Sequence, residues 1–137
     1  GKVGLVYQSF NLVHTLTVKE NILFPLSLAG STPDPVFFDE IVELLHLKER
    51  LNAFPGELSG GGQQRVAIAR ALIAKPSILL ADEPTGNLDS KTGQNVLGLL
   101  KLSVETYRQT LVMITHNLEL AQMADRVVRI EDGRIRV

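Results

Sequence analysis

Apolar and polar positions alternate between two periods along the chain, and the alternation predicts a mixed α/β order. Residues 2–7 read as a strand through Val3, Leu5, Val6 and Tyr7, ending at Gln8. After a loop over 9–16, Thr17-Val18-Lys19-Glu20 has capping-box spacing, so a helix starts there and runs to Gly30, with Pro25 as a kink or early stop. Residues 31–35 break the pattern. Phe37, Phe38, Ile41, Val42, Leu44 and Leu45 then recur at helical spacing, a helix expected to include His46, and 52–57 read as a loop. Strong helix formers fill 63–74, and Lys75-Pro76 stops them. Ile78 to Ala81 is an uninterrupted apolar run, the pattern of a strand buried on both faces.

A further amphipathic helix is marked by Val96, Leu97, Leu100 and Val104. It is followed by a strand over 110–115, a short helix over 118–124 and a strand over 126–130. Asp132-Gly133 suits a two-residue hairpin turn into 134–137. Strand, helical insert, then alternating strands and helices predict an α/β fold with a mainly parallel sheet.

Composition narrows the classes of function. The 137 residues suffice for one domain with a real core. A formal net charge of −1 gives no reason to expect nucleic acid as a partner. With zero cysteines there are neither disulfides nor thiolate metal sites. No apolar run approaches the roughly 18–20 residues that span a bilayer, and no signal peptide is recognisable. Any role at a membrane is therefore expected to be peripheral.

Two segments carry chemistry. Leu58-Ser59-Gly60-Gly61-Gly62-Gln63-Gln64-Arg65 combines a hydroxyl, glycines that admit close backbone approach and a helix amino terminus that favours an anion. Ile78-Leu79-Leu80-Ala81-Asp82-Glu83 ends an apolar strand in adjacent carboxylates, an arrangement that calls for a cation or a proton. With Pro84-Thr85-Gly86-Asn87-Leu88-Asp89 behind them, these segments resemble the ABC transporter ATPase subunits, most closely the branch of lipoprotein-releasing, macrolide-export and cell-division ATPases.

The resemblance covers essentially the whole chain and implies a P-loop-NTPase-like sheet with an inserted helical and signature subdomain over about 17–75, and a catalytic core from 1–16 and 76–137. It implies that Asp82 holds Mg²⁺ through water and that Glu83 positions and deprotonates the attacking water. Gln8, within Val6-Tyr7-Gln8-Ser9-Phe10, matches the glutamine that reaches Mg²⁺ and that water. His116, in Thr115-His116-Asn117, matches the switch histidine on the γ-phosphate. Ser59, Gly60 and Gly61 match the signature that contacts nucleotide held by the opposite subunit, and Asp89 matches a residue that communicates across the dimer, with helix capping as its plainer role. Implied cofactors are ATP and Mg²⁺. Implied partners are a second ATPase subunit and a transmembrane permease, at the cytoplasmic face of the cell membrane. Phe10, Leu12 and Leu16 suit either a permease contact or core packing, while His14 and His46 suggest no metal.

Two departures stand out. Gly62 occupies a position where the family usually has glutamine, which loosens the first helical turn by up to ~1 kcal/mol. No G-x-x-x-x-G-K-[ST] loop occurs in the chain; Gly1-Lys2-Val3 cannot supply one, and the stretch from Gly86 to Lys91-Thr92 lacks the second glycine. The expectation is a domain truncated at its amino terminus that alone neither binds nor hydrolyses ATP well and that associates with itself through exposed sheet edges. Two alternatives remain at this level: a non-catalytic interaction fragment that keeps the dimer and permease surfaces, and a soluble ABC protein of the DNA-repair or ribosome-acting kind. The absence of coiled-coil heptads and of a basic patch weighs against the latter.

Overall fold

The computed structural model describes residues 3–116, 129–131 and 134–136. The first strand, β1, spans Val3–Tyr7, and two helices follow, α1 over Val18–Leu28 and α2 over Pro35–Leu44. The capping box is formed as its spacing predicts: Thr17 Oγ1 accepts from the Glu20 amide at 3.2 Å, and Glu20 Oε1 accepts from the Thr17 amide at 2.9 Å. Helix α1 continues through Pro25 and closes at Ala29. In α2, Asp34 caps the amides of Val36 and Phe37 ahead of Pro35, which sits in the first turn where its missing N–H costs nothing. His46 lies beyond this helix, exposed, with φ 57°, and not within it as the periodicity suggested. A short 3₁₀ turn at Lys48–Arg50 follows α2, and another at Pro55–Glu57 lies within the stretch 52–57 that read as loop.

Helix α3 spans Gly60–Ile73, three residues earlier than its helix formers indicate, because Ser59 caps it and the glycines become its first turn. β2 (Ile78–Asp82), α4 (Ser90–Thr106) and β3 (Thr110–Ile114) complete the alternation. The three strands form a parallel sheet in the order β1-β2-β3, with Val3, Ile78 and Thr110 in one row and Tyr7, Asp82 and Ile114 in another. At Gly4, β1 and α3 approach closely: a Cβ there would stand 3.3 Å from the Ala71 carbonyl oxygen and 3.0 Å from Pro76.

The pleat sorts the sheet into two unlike faces. Val6, Leu79 and Ala81 point into a core shared with Val18, Ile22, Ile41, Ile68, Leu72, Leu97 and Leu100, with Leu111 and Met113 packed against it. Among the described residues, nothing covers the opposite face. Val3 (56%), Leu5 (41%), Ile78 (40%), Val112 (46%) and Ile114 (49%) are exposed there, so β2 is covered on one face and not on both. The helices of the described residues pack on the other side, which is why the apolar run alone misled.

The hairpin at the carboxyl end is present as β4 (Arg129–Glu131) and β5 (Arg134–Arg136), antiparallel, with Ile130 opposite Ile135. It forms a separate two-stranded sheet instead of extending the parallel one. The expected helix over 118–124, the start of the strand at 126–128 and the Asp132-Gly133 turn lie outside the described residues.

Candidate functional site

The carboxyl edge of the parallel sheet gathers the residues singled out by their chemistry. Asp82 is the last residue of β2 and is exposed there. Glu83 turns the chain away with φ 46°, a left-handed conformation uncommon outside glycine and of the strained kind found at functional sites. Its amide donates to the Ile114 carbonyl at 2.8 Å, and its carboxylate is caught by the exit of β3. There the His116 amide donates to Oε1 at 2.7 Å and the Thr115 hydroxyl to Oε2 at 3.4 Å. The His116 imidazole stands 3.8 Å from Oε1 on an otherwise exposed side chain, free to meet a ligand.

Gln8 leaves β1 at the same edge. Its Nε2 donates to Asn87 Oδ1 at 3.1 Å, and Asn87 Nδ2 returns a bond to the Gln8 carbonyl at 3.0 Å. Gly86 makes this pairing possible, because a Cβ there would stand 2.7 Å from Gln8 Cδ. Gln8, Asp82, Glu83 and His116 are thus brought together by the parallel register.

Ser59, Gly60 and Gly61 open α3, a separate element from those strand ends. Ser59 Oγ accepts from the Gly62 amide at 3.1 Å. The amides of Gly60 and Gly61 have no partner among the described residues, as expected of a helix start. Both glycines also pack closely in their own chain: a Cβ on Gly61 would stand 2.6 Å from Thr92 Cγ2, and one on Gly60 would stand 3.0 Å from the end of the Leu88 side chain, which can shift. A Cβ on Gly62 would come within 3.2 Å of Leu58 Cβ. Ser59, Gly61, Arg65, His46 and Thr92 line an open cleft of about 440 Å³. Asp89 caps α4 through the Thr92 amide at 3.3 Å, and hydrogen bonding to Thr92 holds its carboxyl below the usual carboxylate range.

Leu12 is buried in the core and serves packing, Phe10 packs against the core while half-buried, and Leu16 is half-buried too. Sequence reasoning missed Gln64. It is fully buried, and its side-chain nitrogen donates to the Tyr7 carbonyl at 2.9 Å and to the Pro84 carbonyl. A glutamine in the row Gly61, Gln64, Ile68, Leu72, otherwise the buried stripe of α3, was the available signal.

A family model for ABC transporters matches residues 1–86. This chain belongs to the ABC transporter family. It is 48% identical over 136 residues to an ABC transporter ATP-binding protein of Thermotoga maritima, covering 98% of this chain and 58% of that protein. To a putative ABC transporter ATP-binding protein of Mycoplasma genitalium it is 44% identical over 133 residues, covering 97% of this chain and 43% of the relative. Among solved structures, the dimeric bacterial ABC transporter cassette MJ0796 superposes with a TM-score of 0.80 at 41% identity, over 99% of this chain and 61% of the cassette. The chain therefore spans about half the length of these ATP-binding relatives and has the ABC ATPase fold.

The side chains at the sheet edge suit Mg²⁺, a hard cation that takes oxygen ligands and retains water. Asp82 offers an exposed carboxylate and Gln8 an amide oxygen, but the described residues contain no cluster of three His, Cys, Asp or Glu that could hold a metal ion. Such a donor set fits an ion carried largely by water and substrate phosphates.

Proposed function

We propose that this chain supplies the water-positioning, Mg²⁺-contacting and signature parts of an ATP-hydrolysing subunit that drives a membrane transporter. The observation that carries the reading is the convergence of Gln8, Asp82, Glu83 and His116 on one edge of a parallel sheet, the edge at which α/β proteins bind ligands. Asp82 and Gln8 would hold Mg²⁺, which supplies charge neutralisation on the phosphates. Glu83 accepts a proton from the attacking water and aligns it, and His116 donates a hydrogen bond to charge developing on the γ-phosphate. Release of the Glu83 carboxylate from the His116 and Thr115 donors frees it for that role.

In this reading the segment over about 17–75 is the inserted helical subdomain, and 1–16 with 76–137 form the core. Ser59 and the free amides of Gly60 and Gly61 contact nucleotide bound by a second ATPase subunit, and Asp89 carries information across that interface. The partners are that subunit and a permease, at the cytoplasmic membrane face. Among the described residues, no helix is long and apolar enough to cross a membrane. The sequence has no Walker A loop, so a nest of amides and a lysine for the β- and γ-phosphates must come from elsewhere, and the chain alone binds ATP weakly. The open sheet face and edges favour self-association.

Joining the chain to the amino-terminal segment of the Thermotoga maritima relative tests this. Turnover of Mg-ATP is expected, with a loss of about 100-fold or more in Glu83→Gln. Hydrolysis unaffected by that substitution contradicts the assignment.

A further inference from the structure

We propose that Gln64 is a positioning residue that fixes Gln8 and Glu83 relative to the signature end of α3, an inference that rests on the ATPase reading above. Its side-chain nitrogen donates to two main-chain carbonyls from distant parts of the sequence: Tyr7, immediately before Gln8, and Pro84, immediately after Glu83. A primary amide is the side-chain group that fits. It carries two N–H donors on one atom, whereas a carboxylate would repel both carbonyls and an aliphatic side chain would leave both without this donor.

The orientation of the amide follows from the same contact, because turning it over would place oxygen against oxygen. Its other end argues against simple packing. Gln64 Oε1 is buried without a partner among the described residues, a cost that an apolar residue of the same size would avoid. The amide is therefore kept for its two acceptors.

Gln64 also sits one turn from Gly60. The helix start that presents Ser59, Gly60 and Gly61 is thus tied by one side chain to the two strand exits that present Gln8 and Glu83. A displacement of the amino end of α3 moves both carbonyls together. The reciprocal Gln8–Asn87 pair links the second exit back to the first, so the two loops respond as a unit.

Gln64→Leu and Gln64→Glu test the clamp, with Ile68→Val, one turn further along the same buried row, as a control for general loosening of the core. In the chain itself, amide hydrogen exchange over residues 6–7, at the end of the β1–β2 ladder, and 85–88, where the Gly86 and Leu88 amides are bonded, is expected to accelerate about tenfold in both Gln64 variants, beyond any change in the control. Exchange there that follows only global stability overturns the clamp, whatever the protein's activity. In the ATP-hydrolysing assembly of the preceding section, Gln64→Leu is expected to lower kcat about tenfold while KM for ATP stays within about twofold. Accelerated exchange with unchanged kcat overturns the positioning role. An assembly in which the unsubstituted chain fails to hydrolyse ATP refutes the ATPase reading instead and leaves the exchange result to decide the clamp.

Discussion

Asn21→Leu is expected to destabilise the chain far more than an ordinary surface change. Asn21 is fully buried on α1 and organises the turn before it: Oδ1 accepts from the Val13 amide at 2.8 Å, and Nδ2 donates to the carbonyls of Val13, Leu16 and Thr17 at 2.9, 3.1 and 3.0 Å. Leucine keeps the volume and removes all four bonds. Two of the carbonyls retain another donor, since Leu16 N–H reaches the Val13 oxygen and Asn21 N–H the Thr17 oxygen. The Val13 amide and the Leu16 carbonyl are left without a partner. At about 1–3 kcal/mol for each such group, reduced because the site is only partly shielded from water, the loss comes to about 2–4 kcal/mol. That is a large fraction of the ~5–15 kcal/mol typical of a domain. Urea unfolding followed by circular dichroism measures it, with an unchanged m-value as the check that the transition remains the same. A loss below about 1 kcal/mol would refute the reasoning, by showing that water satisfies both groups.

Gly61→Ala sets a helix-propensity gain of up to ~1 kcal/mol against a Cβ placed 2.6 Å from Thr92 Cγ2, and overpacking of ~1–3 kcal/mol should win; a rise in Tm would contradict this. The carboxyls of Glu20 and Asp89 are held below their usual range by hydrogen bonds to Thr17 and Thr92 respectively, so their contribution to stability is present above about pH 4 and is lost as pH falls through the lower folded values. Glu20→Gln should flatten part of that acid dependence in far-ultraviolet circular dichroism, and an unchanged profile would rule the capping box out as its source. Val112→Lys places a charge on the open apolar face of the sheet and should reduce self-association measured by light scattering; an unsubstituted chain that stays monomeric at high concentration removes the premise.

Where a local rule was sufficient, the fold was legible in the sequence. Thr17 with Glu20 and Ser59 before three glycines each start a helix through a bond that forms within four residues, and Asp34 before Pro35 obeys the same rule inside a stretch that reads as a break. The catalytic candidates were legible because a strand ending in a carboxylate places it at the sheet edge whatever surrounds it. Coverage of the strands was not. An apolar run such as Ile78 to Ala81 records a preference for burial, and only the helices actually packed on the sheet decide which face is covered. Gln64 and Asn21 were illegible for a related reason. Each is a buried polar residue whose acceptors, Tyr7 and Pro84 or Val13 and Leu16, are known only once the chain has folded. His46 escaped its helix because Leu45 ends α2 and the next residue turns left-handed, a choice that periodicity does not encode.

The most direct test of the account is calorimetric titration of the purified chain with Mg-ATP, its mass followed by light scattering in the same buffer. No binding is expected up to about millimolar ATP, a Kd no tighter than about −4 kcal/mol of binding free energy, because the roles proposed for the sheet edge are those of water and Mg²⁺ positioning and the sequence contains no Walker A loop. Binding near micromolar, about −8 kcal/mol, would show that another surface of the chain or of its self-assembly grips the phosphates, and would contradict that division of labour.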